Sequence, residues 1–339
     1  MLLALLLAAY GWWWRVVADG VRQNATTFQA AQQALGRELT WDAFSVEGFP
    51  YRVEATLTQP HFTAPDRGTA WDGERVVMHI QPFALNRLGF SLEGQQHFFY
   101  AKEGRWIETD GRADKALVSV SSSRAELQIG LDLERLTGKA KIDATDFNFI
   151  VEAATGGLSV SEATEREPLP RVEINGRLQN VALQGNLDLP LGSTIALVEI
   201  DAGLKFPTDV PEASATTLFA AWRNAGTPID LRRFEVSWGG IHVAVSGTFK
   251  LDAQALPEGR FQLTLGNHPR ILELLENYGW ITKETHTAAK SVLDVLSFFS
   301  GDPERRISVP MRIEKGVVYL GLVRVATLQP PATAAQLGP

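Results

Sequence analysis

The sequence predicts a mainly β protein of the α+β class, with an N-terminal membrane helix, long curved antiparallel sheets and three helices in the C-terminal half. Three observations predict it. Beyond residue 39, apolar and polar side chains alternate with a period of two, Gly- and Pro-containing turns separate the alternating runs, and residues 1–14 carry no charge. Alternation of this kind is typical of antiparallel strands with one solvated face.

The first element, residues 1–17, predicts a membrane anchor. A helix of this length measures about 25 Å at 1.5 Å per residue, slightly less than the ~30 Å hydrocarbon layer. Tryptophan favours the membrane interface, and an arginine after it can reach the headgroups. The predicted anchor residues are Leu2, Leu3, Leu5, Leu6, Leu7, Trp12, Trp13, Trp14 and Arg15.

Two alternatives for this segment remain open, a cleaved signal peptide and a buried core helix. Cleavage requires small residues before the cut, and three consecutive tryptophans fit that requirement poorly, so an uncleaved segment is favoured. No Lys or Arg precedes the apolar run, so the charge rule for orientation gives no support. Whether Met1 is the true start stays open.

Residues 18–37 predict a helical stalk that continues from the anchor. Val17, Val21, Phe28 and Leu35 recur at near-helical spacing, and Gly36 is a plausible stop.

The rest of the chain predicts two β-rich halves. The first spans 38–160, and the second spans 171–329. The polar, Pro-bounded stretch 161–170 predicts a linker or long loop, and 330–339 a disordered tail. Clear alternation marks strands at 53–57, 147–151, 234–238, 241–245, 261–265 and 307–313.

Turn and capping residues mark the boundaries of several elements in the second half. Gly239-Gly240 lies between two alternating runs and predicts a tight hairpin. Three helices are predicted by apolar periodicity together with capping and stop residues. They run from Ser214 to Gly226, from Asn267 to Gly279, and from Thr282 to Gly301.

Composition excludes several functions. The formal charge is −7, with basic and acidic residues interspersed, which argues against nucleic acid as a partner. There is no cysteine, and the six histidines show no metal-binding spacing. No nucleophile elbow or nucleotide loop occurs. The sequence therefore predicts a non-enzymatic protein with no cofactor, catalytic residue or metal site.

Aromatic residues crowd one stretch of the first half. They are either core residues or part of an apolar surface that binds a ligand. The candidate ligand surface consists of Phe83, Phe90, Phe98, Tyr100 and Trp106.

Three segments carry a family resemblance: 48–62, beginning GFPYR, with Trp71 downstream; 218–267; and 306–330, with a Lys-Gly turn between strands. They resemble the alphaproteobacterial family called domain of unknown function 2125, over most of the chain. The resemblance implies a Gram-negative envelope protein that faces the periplasm, and it supplies no catalytic residues. The C-terminal half is also similar, at the level of fold, to AsmA-like periplasmic lipid-traffic proteins.

These observations predict a single-pass inner-membrane protein with most of its chain in the periplasm, which binds or helps to move a lipid. One alternative is an envelope scaffold that binds other proteins, and another is a hydrolase with an unrecognised carboxylate site. Sequence leaves ligand identity, biological process, strand order and oligomeric state open.

Overall fold

The chain is described by a computed structural model. The residues described are 2–102, 104–164, 169–206, 222, 224–252, 254–299, 306–321 and 323–328. The chain divides into two units, one of residues 1–155 with 180–188 and the other of 156–179 with 189–339. Within the described residues there are seventeen strands, and the prediction of a mainly antiparallel β fold is confirmed.

The first unit begins with a long helix and continues as four short strands followed by four long ones. Its elements are α1 (Leu2–Ala34), β1 (Glu38–Thr40), β2 (Ala43–Glu47), β3 (Val53–Thr58), β4 (His61–Ala64), a 3-10 turn (Pro65–Arg67), β5 (Thr69–Ile80), β6 (Arg87–Lys102), β7 (Arg105–Ser122) and β8 (Glu126–Ile142).

Strand β5 organises this unit, because its two halves have different partners on one side. Its second half pairs with β3, from Val53 opposite Ile80 to Thr58 opposite Arg75. Its first half pairs with β4, and along its other side β5 pairs with β6. Beyond β6 follow β7 and β8, all antiparallel.

Helix α1 packs on these strands through residues 17–21, and the role of residues 18–37 as a stalk stays a prediction. Val17, Ala18 and Val21 are buried in a core with residues of β2, β3 and β5. Trp13 and Trp14 pack against the same core. The first part of the apolar face that sequence periodicity detects, Val17 and Val21, is therefore covered by the sheet, whereas Phe28 and Leu35 are exposed. Among the described residues, no helix combines the length and apolar character needed to cross a membrane.

Strands β9 (Thr145–Ser161) and β10 (Arg171–Gly185) each contribute residues to both units. The division of the chain therefore passes through these two strands, and the linker at 161–170 stays a prediction. Part of that segment, 165–168, lies outside the described residues.

The second unit is a meander with two helices inserted before its last three strands. Its elements are β11 (Thr194–Lys205), β12 (Ile229–Trp238), β13 (Ile241–Leu251), β14 (Pro257–Gly266), α2 (His268–Asn277), α3 (Lys283–Phe299), β15 (Ile307–Glu314), β16 (Val317–Leu320) and β17 (Val323–Thr327). Each strand from β11 to β17 pairs antiparallel with the next.

The predicted hairpin and two predicted helices of this unit are confirmed. Trp238 faces Ile241 across Gly239-Gly240. Helices α2 and α3 pack with β14 and β15 around Leu265, Leu272, Ala289, Leu293, Ile307 and Val309. Of the helix predicted before Gly226, Trp222, Asn224 and Ala225 are helical. Its start at Ser214 lies outside the described residues, as do the tail 330–339 and the stop at Gly301.

Candidate functional site

An apolar groove of about 750 Å³ lies between α1 and the sheet of the first unit. The helix contributes residues spaced three or four apart, which places them on one face. They are Trp13, Val16, Val17, Gly20, Val21, Asn24, Ala25 and Phe28.

The opposite wall is one face of β3, β5 and β6, where every second residue points the same way. Pairing aligns these residues in rows across the strands: Ala55 faces Met78, and Met78 faces Phe90. In the neighbouring rows Leu57 faces Val76 and Ile80 faces Leu88. Leu39, Trp41, Phe44 and Leu85 complete the lining.

The floor of the groove is buried and its rim is exposed. Ala55, Ile80 and Val17 are buried at the floor, whereas Phe28 and Leu85 are exposed. Apart from the two indoles, Asn24 contributes the only polar side chain among the described residues of the lining. A pocket that is apolar almost throughout recognises its ligand by shape and hydrophobic burial, and it holds no group for acid–base chemistry.

Beyond the end of α1, an ion pair ties the chain to the turn after β4. Arg37 donates from Nη2 to Oδ2 of Asp66 at 2.7 Å and from Nε to Oδ1 at 3.1 Å. These hydrogen bonds hold the pKa of the Asp66 carboxyl below its ordinary value and raise the pKa of Arg37. The contact therefore holds the chain just after α1 against the turn that follows β4.

Of the predicted ligand surface, Phe90 alone lines the groove. Phe83 is exposed in the loop before β6 and stacks on Tyr10. Phe98 and Tyr100 follow a register shift in β6, between the pairs Arg75–Glu93 and Gly73–Gln96.

Because a bulge interrupts the period of two, residues beyond it are out of phase with those before it. Trp106 lies on β7, where the Lys141 ammonium sits 4.8 Å from its ring centroid. The predicted surface therefore shares β6 with the groove through Phe90, whereas it includes no residue of α1, β3 or β5, which form the other walls.

A polar cluster on β6 and β7 was also missed. His97 Nδ1 lies 2.8 Å from Asp110 Oδ1, and ligand atoms of His97, Glu108 and Asp110 all lie within 4.8 Å of one another. Three such groups could ligate a divalent cation. Lys139 and Lys141, however, lie opposite Asp110 and Glu108 in the β7–β8 register. Both lysines line the same hollow as these carboxylates, and their positive charges oppose the binding of a cation.

The same carboxylates line a polar hollow of about 440 Å³, together with both lysines and Asp146. Strand pairing brings this cluster together from three strands, at positions 97, 108–110 and 139–141, and no local motif reveals such an arrangement. The hydrolase alternative stays a prediction, since no further contact marks one of these carboxylates as acid or base.

The fold and its groove define a class of protein: an antiparallel β protein with an apolar groove between its sheet and a long N-terminal helix. Within that class, the chain belongs to the family described as "Uncharacterized protein conserved in bacteria (DUF2125)", which it matches over residues 14–329. The family resemblance is thereby confirmed, whereas the alphaproteobacterial source and the likeness to AsmA-like proteins stay predictions. No curated protein and no solved structure matches the chain.

Proposed function

We propose that the protein is a non-enzymatic lipid-binding protein of the bacterial cell envelope, which holds an acyl chain in the groove between α1 and the sheet. The observation that carries this proposal is the groove itself, large enough for a small-molecule ligand and apolar along both walls. The uncharged segment 1–14 supports a place at the inner membrane, and we place the β-strands in the periplasm.

The energetics favour a flexible hydrocarbon chain. Burial contributes about 0.8 kcal/mol per methylene, so roughly ten buried methylenes contribute about 8 kcal/mol before the entropic cost of association is counted. A charged headgroup inside the groove would lie unpaired against apolar walls, at a cost of several kcal/mol. We therefore place the headgroup at the exposed rim, near Leu85 or Phe28.

Gly20 offers a direct test, because it lines the groove and a Cβ there would meet no heavy atom within 4 Å. Gly20→Phe fills the groove with a ring, and the helix gains from the loss of a glycine. The matched control is Ala30→Phe, which adds the same ring at an exposed position of α1 outside the lining.

We expect the unaltered chain and the Ala30→Phe variant to retain lipid through purification, detected by mass spectrometry, and to bind a fluorescent fatty acid. The Gly20→Phe variant should unfold at least as late on heating but lose most of this binding. Equal binding by both variants, or a wild-type chain that binds no acyl probe, would contradict the proposal. If wild-type captures envelope proteins but no lipid, the scaffolding alternative is favoured.

A further inference from the structure

Three separate segments of the first unit meet beside the start of α1 and expose aromatic side chains together. They are residues 5–14 of the helix, the loop 48–51 and the loop 81–86. Tyr10, Trp12, Phe49, Tyr51 and Phe83 are called the aromatic face here. Their exposed fractions reach 89% for Tyr51, 78% for Phe83, 67% for Trp12 and 56% for Phe49.

Side chains of α1 hold both loops in place. The Tyr10 hydroxyl donates to the carbonyl oxygen of Pro50, and the Trp13 indole donates to that of Pro82 at 3.2 Å. Rings also meet, since Tyr10 stacks on Phe83 at 5.6 Å between centroids. The face is therefore a fixed surface built by three segments, and exposed apolar surface of that kind marks an interaction site.

The charges around the face have a regular arrangement. Residues 1–14, 48–51 and 81–86 contain no charged side chain, and each segment is followed at once by an exposed arginine. These are Arg15, Arg52 and Arg87; the Arg52 guanidinium also pairs with Glu54 at 2.7 Å. A hollow of about 460 Å³ opens beside Arg15, between Trp12, Trp14 and Phe49.

Uncharged aromatic tips bordered by arginines match the chemistry of a phospholipid surface. Aromatic rings favour the interface between headgroups and hydrocarbon, and arginines reach the phosphate layer just outside it. A protein partner with an apolar patch would bury the rings, but it would give the three arginines no common row of anions.

We infer that the aromatic face docks onto a glycerophospholipid bilayer, with the rings at the interface and Arg15, Arg52 and Arg87 at the phosphates. The inference rests on the proposed function for its membrane setting and adds the surface that makes the contact. Trp13 and Leu85, which line the groove, belong to the segments that form this face. Docking therefore brings the groove lining next to the lipid it would take up.

The absence of cysteine allows a test of the full chain at single positions. Tyr51→Cys and Phe83→Cys, each carrying a polarity-sensitive fluorophore, report on the face. Phe298→Cys in α3, a position 83% exposed, is the matched control. The probes are vesicles of phosphatidylcholine, with and without phosphatidylglycerol.

We expect vesicles to shift the emission of the labels at 51 and 83 to the blue, and lipids carrying a quencher to reduce it, while the label at 298 stays unchanged. Substituting Phe83 or Tyr51 by Ser should lower the vesicle partition coefficient roughly tenfold each. Arg87→Gln should lower it roughly fivefold on vesicles with phosphatidylglycerol. Phe298→Ser and Arg124→Gln, both at exposed positions, are the controls.

Labels at 51 and 83 that stay in water while the chain floats with vesicles would overturn the inference, since the contact would then come from another segment. Labels shielded without vesicles as protein concentration rises would indicate a second copy as the partner and overturn it as well. Loss of acyl binding in Gly20→Phe with vesicle docking intact would separate this inference from the proposed function.

Discussion

Trp14 of helix α1 donates its indole N–H to the carbonyl oxygen of Arg52 across 2.8 Å. Its ring also meets that of Phe49 edge-on, at 5.6 Å between centroids. Trp12, two residues earlier on the same helix, is largely exposed. Trp14 therefore contacts the loop 48–52 while Trp12 stays largely in solvent, because residues two apart on a helix point in different directions.

The first prediction concerns this hydrogen bond. Trp14→Phe keeps an aromatic ring beside Phe49 but leaves the Arg52 carbonyl without its indole donor. We expect the free energy of unfolding to fall by about 1 kcal/mol and amide exchange in the loop 48–52 to accelerate. Urea unfolding and hydrogen exchange measure the two effects. Trp12→Phe is the control, and an equal loss in that variant would show that the hydrogen bond is not the cause.

The second prediction is a pH dependence that comes from Arg37 and Asp66. The pKa of Asp66 lies below its ordinary value of 3.8 because Arg37 donates hydrogen bonds to the carboxylate. A depressed pKa in the folded state stabilises the protein above the unfolded pKa, and this stabilisation is lost as the pH falls through the folded pKa. We therefore expect the urea midpoint to fall as the pH drops below 3.8 and on through the lower pKa of the folded state.

Asp66→Asn removes this part of the pH dependence, and so does Arg37→Gln, because each eliminates the same contact. The double variant should show no further change in slope. If Asp66→Asn leaves the pH profile of the wild-type protein unaltered, the ion pair does not contribute to stability in solution.

The sequence predicts those features that depend on neighbouring residues, and it does not predict contacts between residues far apart along the chain. The period of Val17, Val21 and Phe28 predicts a helix correctly, because it depends on neighbouring residues alone. Whether that face meets a membrane or a sheet depends on which strands lie beneath it, and β5 pairs with β3 from more than 16 residues away. How this helix packs therefore depends on strand pairing that the residues of the helix do not reveal.

The lining of the groove shows a second limit of prediction from sequence, because it depends on a bulge in strand β6. Phe90 lines the groove, whereas Phe98 and Tyr100, grouped with it because aromatic residues crowd this stretch of sequence, follow a break in the period of two. Gly94, with φ of +75°, lies between them at the register shift, and a Cβ there would come within 2.1 Å of Glu74 Oε2. A glycine inside a strand pattern is a signal for a bulge, and it was the one local cue available.

The third prediction is that Lys139 and Lys141 prevent the cluster of His97, Glu108 and Asp110 from binding a metal ion. Lys139 and Lys141 face its carboxylates across the β7–β8 pairing. We expect Zn²⁺ to leave the thermal midpoint of the wild-type chain unchanged. The double variant Lys139→Gln, Lys141→Gln should gain stability with Zn²⁺, up to about 2.7 kcal/mol when free metal reaches 100 times Kd.

Adding His97→Ala to that double variant should abolish the gain. Each comparison is made with and without metal in one variant, so the lost contact between Lys141 and Trp106 cancels. Zn²⁺ stabilisation of the wild-type chain that depends on His97 would show that the lysines do not protect the site.

The fourth prediction separates the cost of backbone strain from the cost of a steric clash at the hairpin between β12 and β13. Gly239 and Gly240 both have positive φ, at +55° and +80°, so an alanine at either costs roughly 1–2 kcal/mol in backbone strain. They differ in their surroundings. A Cβ on Gly239 would lie 2.3 Å from the carbonyl oxygen of Leu191, whereas one on Gly240 meets nothing within 4 Å.

Gly240→Ala should therefore show the strain alone, while Gly239→Ala should lose roughly 3 kcal/mol or more, because the clash adds to it. Urea unfolding of the two variants measures the difference directly, since backbone strain is common to both. Equal losses would show that the segment around Leu191 yields at little cost. In that case the turn, and not its packing against Leu191, makes glycine necessary at position 239.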